Sequence, residues 1–179
     1  MAEKRRIKVS FEKLVLALES YSPESQAYLD TETGEVIYVT GEARNLLEEL
    51  YDRLNPEEQK RGISLETLLA GHEAIPDWEE EMLRNAYRVE QEFSRFLSIE
   101  PEPYSDYNDM DEFIGTIEDE RLRERLDEAI HGRGAFRRFK DVLAHHPKVL
   151  EDWYIFKDDQ VRQRALDWLD SCDIEMIES

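Results

Sequence analysis

Two short runs of aromatic and β-branched residues, Ala27-Tyr28-Leu29 and Val36-Ile37-Tyr38-Val39, flank the polar stretch Asp30-Thr31-Glu32-Thr33-Gly34-Glu35. Such runs suit a pleated, half-buried surface, and Gly34 can take the positive φ that a tight reversal needs. The segment from Gln26 to Thr40 therefore predicts a β-hairpin. A two-stranded hairpin alone is marginal in water, so the rest of the chain must cover it. The nearest cover is the stripe Phe11, Leu14, Val15, Leu18, which has the i, i+3, i+4, i+7 spacing of a half-buried helix. Ser10 is placed to cap that helix, and Pro23 stops it near Ser20. Ile7 to Val9 could add a short strand.

Helical spacing governs most of the remaining chain. Leu46, Leu47, Leu50, Tyr51 and Leu54 mark a second helix, ended by Asn55-Pro56. Leu65, Leu68 and Leu69 mark a short one after Gly62, closed near Gly71. Pro76 opens a long helix with Trp78, Met82, Ala86, Val89, Phe93 and Phe96 on one stripe, its first turn carrying Glu79, Glu80 and Glu81 where the helix dipole favours them. Pro101-Glu102-Pro103 reads as a linker. Beyond it, Met110 to Ile117 (capped by Ser105), Leu122 to Ile130, Phe136 to Leu143 and Leu150 to Leu169 read as helices, the last with a break near Asp158-Asp159. Ile174 and Ile177 suit a closing strand. The expected fold is α+β and mostly helical: an N-terminal helix plus β-hairpin, followed by a C-terminal helical bundle. Residues 1–100 form the small α/β part and 104–179 the helical part; whether they share one core stays open. All three Trp residues fall on apolar stripes and are expected in the core.

Charge narrows the function. The chain has 179 residues, 43 Asp and Glu against 23 Lys and Arg, and a net charge of −20. Its long-range field repels membranes of anionic lipid and bulk nucleic acid. The N-terminus has basic residues without the apolar run of a secretory signal, and no stretch is apolar enough to span a bilayer, so a cytoplasmic protein is expected. Against this background one segment stands out. From His131 to Lys148 five bases (Arg133, Arg137, Arg138, Lys140, Lys148) face one acid, Asp141, whereas Glu90 to Glu128 holds 14 acids against four bases. Gly132 and Gly134 bracket a tight turn between two helices. Free backbone N–H groups at the second helix start, joined by arginines, would suit an anion or an acidic partner. Phe136, Phe139 and Leu143 are spaced to face the core, which turns Arg137, Arg138 and Asp141 outward or sideways. The competing structural role makes Gly132 a helix C-terminal glycine and pairs the arginines with acids of the fold.

Other chemistries lack support. The glycine spacing is not that of a phosphate-binding loop, and no Lys-Ser or Lys-Thr follows. His72-Glu73 lacks the second His of a zinc protease. Asp30 to Gly34 misplaces the glycine of a calcium loop, and Asp141 with His145 gives two ligands without a third. Cys172 is the lone cysteine and lies in an acidic tail, which raises its pKa. No metal and no cofactor is expected, and the chain leans away from being an enzyme.

Ser10-Phe11-Glu12-Lys13-Leu14-Val15-Leu16-Ala17-Leu18-Glu19, Ala27-Tyr28-Leu29-Asp30 with Thr33-Gly34-Glu35-Val36, Gly132-Arg133-Gly134-Ala135-Phe136-Arg137-Arg138-Phe139-Lys140-Asp141-Val142-Leu143, Trp153 and Ala165-Leu166-Asp167-Trp168-Leu169 together resemble a bacterial family. It is catalogued as uncharacterised protein family one hundred and fifty-eight. The resemblance implies a bacterial cytosolic origin and assigns no catalytic role. The expected function is a non-enzymatic interaction or adaptor module with a protein partner. Its docking surface comprises Arg133, Gly134, Arg137, Arg138 and Lys140. The alternative is a phosphate-ligand or RNA-binding protein or enzyme, in which Arg133 and Arg138 hold phosphate and Asp30 or Asp141 acts as base.

Overall fold

The computed structural model describes residues 4–20, 22–55, 57, 63–70 and 75–177. Its contacts divide into two compact units, one of Met1–Glu100 with Asp173–Ser179, the other of Pro101–Cys172.

In the first unit, strands β2 (Ser25–Asp30) and β3 (Val36–Thr40) form the hairpin, and Gly34 takes a φ of +74°. A third strand, β4 (Phe96–Ile99), joins the other side of β2, giving an antiparallel sheet of order β3-β2-β4. The register aligns Tyr28 with Ile37 and with Ser98. Strand residues alternate between faces, and one face carries a core of Tyr28, Ile37, Val39 and Phe96. It meets α2 (Gly41–Asp52), α3 (Leu65–Leu69) and α4 (Asp77–Gln91) through Ala43, Leu47, Leu50, Leu65, Leu68, Leu83, Ala86 and Val89. Helix α1 (Phe11–Glu19) packs against β3 and β4, so the cover expected from the first helix is present. Strand β1 (Arg5–Ile7) pairs in parallel with β5 (Ile174–Met176), aligning Arg5 with Ile174.

Three local expectations change here. Phe93 and Phe96 leave the helical stripe because α4 stops at Gln91; a short 3₁₀ turn, Phe93–Arg95, then delivers Phe96 into β4. Trp78, in the first turn of α4, is 63% exposed rather than in the core. Ser10 occupies the N-cap of α1, but only its carbonyl contributes, accepting from the Leu14 amide. Pro56, Gly62, Gly71 and His72 lie outside the described residues.

The second unit comprises α5 (Ser105–Gly115), α6 (Glu120–Ile130), α7 (Ala135–Leu143) and α8 (Pro147–Ser171). Met110, Phe113, Leu122, Leu126, Ile130, Phe139, Leu143 and Trp153 form its core. The Trp153 ring sits 4.9 Å from Phe139 and 5.3 Å from Phe113, both edge-on, the geometry that aromatic quadrupoles favour. Asp119 caps α6 by accepting from the Arg121 and Leu122 amides. Helix α8 runs through Asp158-Asp159 without a break, started by Pro147 at its first turn. Tyr104, not Ser105, is the N-cap of α5, and its φ is +65°. Buried Asp109 is held by both terminal nitrogens of Arg164, at 2.6 and 2.9 Å. Among the described residues, no helix is long and apolar enough to cross a membrane.

Candidate functional site

The basic corner lies where α6 gives way to α7. Helix α6 ends at Ile130, and the chain reverses through His131, Gly132, Arg133 and Gly134. Gly132 and Gly134 take φ values of +84° and +74°, which residues with a Cβ avoid. The last carbonyls of a helix lack intrahelical partners. Here Arg138 supplies a donor to one of them and to the carbonyls of the turn that follows. Its Nε donates to the Ala129 carbonyl at 3.0 Å and its Nη2 to His131 at 2.5 Å and Gly132 at 3.5 Å, while Nη1 donates to Arg133. A cation at a helix C-terminus also meets the negative end of the dipole. Arg138, expected to turn outward or sideways, thus spends its guanidinium on backbone as a structural clamp, and its acceptors are carbonyls rather than acidic side chains.

The other four residues of the expected site differ. Gly134 is the N-cap of α7. Arg133 and Arg137 are exposed and have no acidic partner among the described residues. Lys140 has no carboxylate partner among the described residues either; its ammonium lies over two rings, 5.4 Å from the centroid of Phe136 and 5.8 Å from that of Tyr154. Lys157 lies 5.5 Å from the Phe136 ring and is also paired with Asp106 at 2.9 Å. Phe136 is 40% exposed, so it leaves the core stripe expected of it and forms the centre of a cation–aromatic face. Lysines over ring faces gain about 0.5–1 kcal/mol each at exposed positions. Sequence reasoning missed Tyr154 and Lys157 because both are on α8 and reach the corner only through tertiary packing.

The setting of Asp30 does not suit the base expected of it. It is fully buried, and Arg95 binds both its oxygens, Nε to Oδ1 at 2.7 Å and Nη2 to Oδ2 at 2.6 Å. Arg88 adds a third bond to Oδ2 at 2.8 Å, and the Glu32 amide a fourth to Oδ1 at 3.0 Å. Burial pushes the carboxyl pKa up. The bonds from Arg95, Glu32 and Thr33, with the Arg95 charge, outweigh it and bring the pKa down to about 2. A base so weak and so enclosed accepts no proton near neutral pH. Asp141 is exposed beside the corner.

Among the described residues, no group of three or more His, Cys, Asp or Glu side chains could hold a metal ion.

A family model described as an uncharacterised protein family, UPF0158, matches residues 73–179. The UPF0158 protein PA5073 of Pseudomonas aeruginosa is 33% identical over 88 residues, 49% of this chain. The match spans 58% of that relative's own length. No solved structure matches the chain at a significant level.

Proposed function

Because the chain belongs to the uncharacterised protein family UPF0158, whose description assigns no activity, we propose its role from surface chemistry: a non-enzymatic interaction module that docks an acidic protein segment. The carrying observation is the exposed Phe136 ring, with Lys140 and Lys157 against it and, on the same helix and turn, Arg133 and Arg137, whose side chains have no acidic partner among the described residues. A half-exposed aromatic supplies desolvation energy, and the surrounding cations supply orientation and association rate. In a chain of net charge −20, cations left without acids suit a charge brought by a partner.

The docking residues are Arg133, Arg137, Lys140 and Phe136, with Gly134 shaping the turn and Arg138 holding it. The test is a fluorescent acidic peptide of alternating Glu and Phe titrated onto the wild-type chain and onto the Arg133→Ala/Arg137→Ala/Lys140→Ala variant. Binding to wild type that weakens with salt and is lost in the variant supports the reading. Equal binding to both chains, or none to either, overturns it. An oligouridylate that binds where the peptide does not would move the reading to RNA, through the same arginines.

A further inference from the structure

A second site lies in the first unit, outside the basic corner. A cleft of about 470 Å³ opens between α2 and α4 above the sheet, within the range of small-molecule sites. Leu47, Ala86 and Val89 give it apolar walls, and Tyr51 and Phe93 add rings. Phe93 is 72% exposed, an aromatic that lines the cleft yet remains in water.

The charges along this cleft are unevenly satisfied. Helix α2 places Arg44, Glu48 and Asp52 on one wall, about 6 Å apart per step of four residues. Arg44 and Glu48 have the spacing of a helical ion pair. Arg44 nevertheless donates to the Tyr28 hydroxyl, its guanidinium 5.8 Å from that ring's centroid. Glu48 is left facing Glu90 of α4, with no cationic partner for either among the described residues. Burial, and then the Glu48 charge, push the Glu90 carboxyl pKa upward. Tyr28, which also lines the cleft, is 7% exposed. Its oxygen accepts from Arg44, while its own O–H proton has no acceptor among the described residues. The cleft therefore offers the carboxylates of Glu48, of Glu90 across from it and of Asp52 one turn further along α2, two hydrogen-bond donors at Tyr28 and Arg44, and apolar walls.

We propose that this cleft binds a small primary amine with an aromatic or alkyl body and an acceptor oxygen at its far end. The ammonium sits between Glu48 and Glu90, the body lies against Leu47, Ala86 and Val89, and the oxygen meets Tyr28 and Arg44. The amine answers the two facing carboxylates and the oxygen the Tyr28 and Arg44 donors, which fixes the ligand's direction.

Tyramine is the probe, titrated calorimetrically onto the full chain. Two controls dissect it: 2-phenylethylamine lacks the oxygen, and 3-(4-hydroxyphenyl)propionate reverses the charge. Tyramine should bind, with the propionate at least about tenfold weaker. The Glu48→Gln/Glu90→Gln variant should lose at least about tenfold in tyramine affinity while melting no lower than wild type, since it removes two like charges. Tyr28→Phe should erase the preference for tyramine over 2-phenylethylamine. No tyramine binding, equal binding of the acid, or undiminished affinity in a folded Gln variant would overturn the proposal.

Discussion

Arg95 holds Asp30 through one hydrogen bond to each carboxylate oxygen, at 2.7 and 2.6 Å, and its guanidinium lies 5.6 Å from the Phe96 ring centroid. The strand end, the 3₁₀ turn and the last turn of α4, through Arg88, thus meet on a single buried carboxylate. Removing the carboxylate takes from Arg88 its one acidic partner among the described residues and leaves Arg95 with only the more exposed Glu32 and Glu92. Asp30→Asn should destabilise the chain by about 3 kcal/mol, the cost of breaking a buried pair from one side. Urea denaturation of the variant beside wild type measures this.

The same carboxylate sets an acid limit. Its pKa is depressed when folded, to about 2 from an ordinary 3.8. Its stabilisation is therefore complete above the unfolded value and lost as pH falls through the folded one. The shift corresponds to about 2 kcal/mol. Wild type should lose stability between about pH 4 and pH 2. Asp30→Asn should show a shallower decline over that window in thermal melts followed by circular dichroism. Parallel profiles would show that other carboxylates govern acid unfolding.

Arg138 and its neighbour Arg137 should separate cleanly. Arg138→Ala takes the guanidinium donors from the Ala129 carbonyl of α6 and from the carbonyls of the turn after it, and should cost about 1 to 2 kcal/mol. Arg138→Lys should recover less than half, because an ammonium cannot fork across several carbonyls. Arg137→Ala should change stability by less than about 0.5 kcal/mol. It should still weaken capture of the acidic peptide.

Gly34→Ala should be severe. A Cβ at this position would lie 2.0 Å from the Lys8 carbonyl oxygen, on a residue whose φ is +74°. The neighbour is backbone, so no side chain can swing away, and the Gly34 carbonyl accepts from the Ser10 amide that begins α1. The expected loss exceeds about 3 kcal/mol, read by chemical denaturation. A near-neutral result would mean that the hairpin turn shifts freely against α1.

Where sequence and structure agree, local periodicity faced a simple environment. The hairpin was legible because its two runs and Gly34 agree on one turn, and the helices of the second unit because each has a continuous apolar stripe. Strand β4 was hidden because Phe93 and Phe96 continue the spacing of Val89 and Ala86; only the three-dimensional need of β2 for a second neighbour ends the helix early. Trp78 and Phe136 mislead alike. Both lie in the first turn of a helix, where a residue on the apolar side can overhang the core it points toward. The role of Arg138 was illegible because backbone acceptors have no residue identity. The cleft was missed because Glu48 and Glu90 are 42 positions apart in a chain crowded with acids.

The parallel pairing of β1 with β5 has a consequence for biosynthesis. Strand β5 follows all of α5 to α8 in the chain. As the polypeptide leaves the ribosome, Arg5–Ile7 must wait with its bonding edge open until the four helices of the second unit have emerged. A nascent-chain arrest before Ile174 would leave that edge open to other unpaired strands.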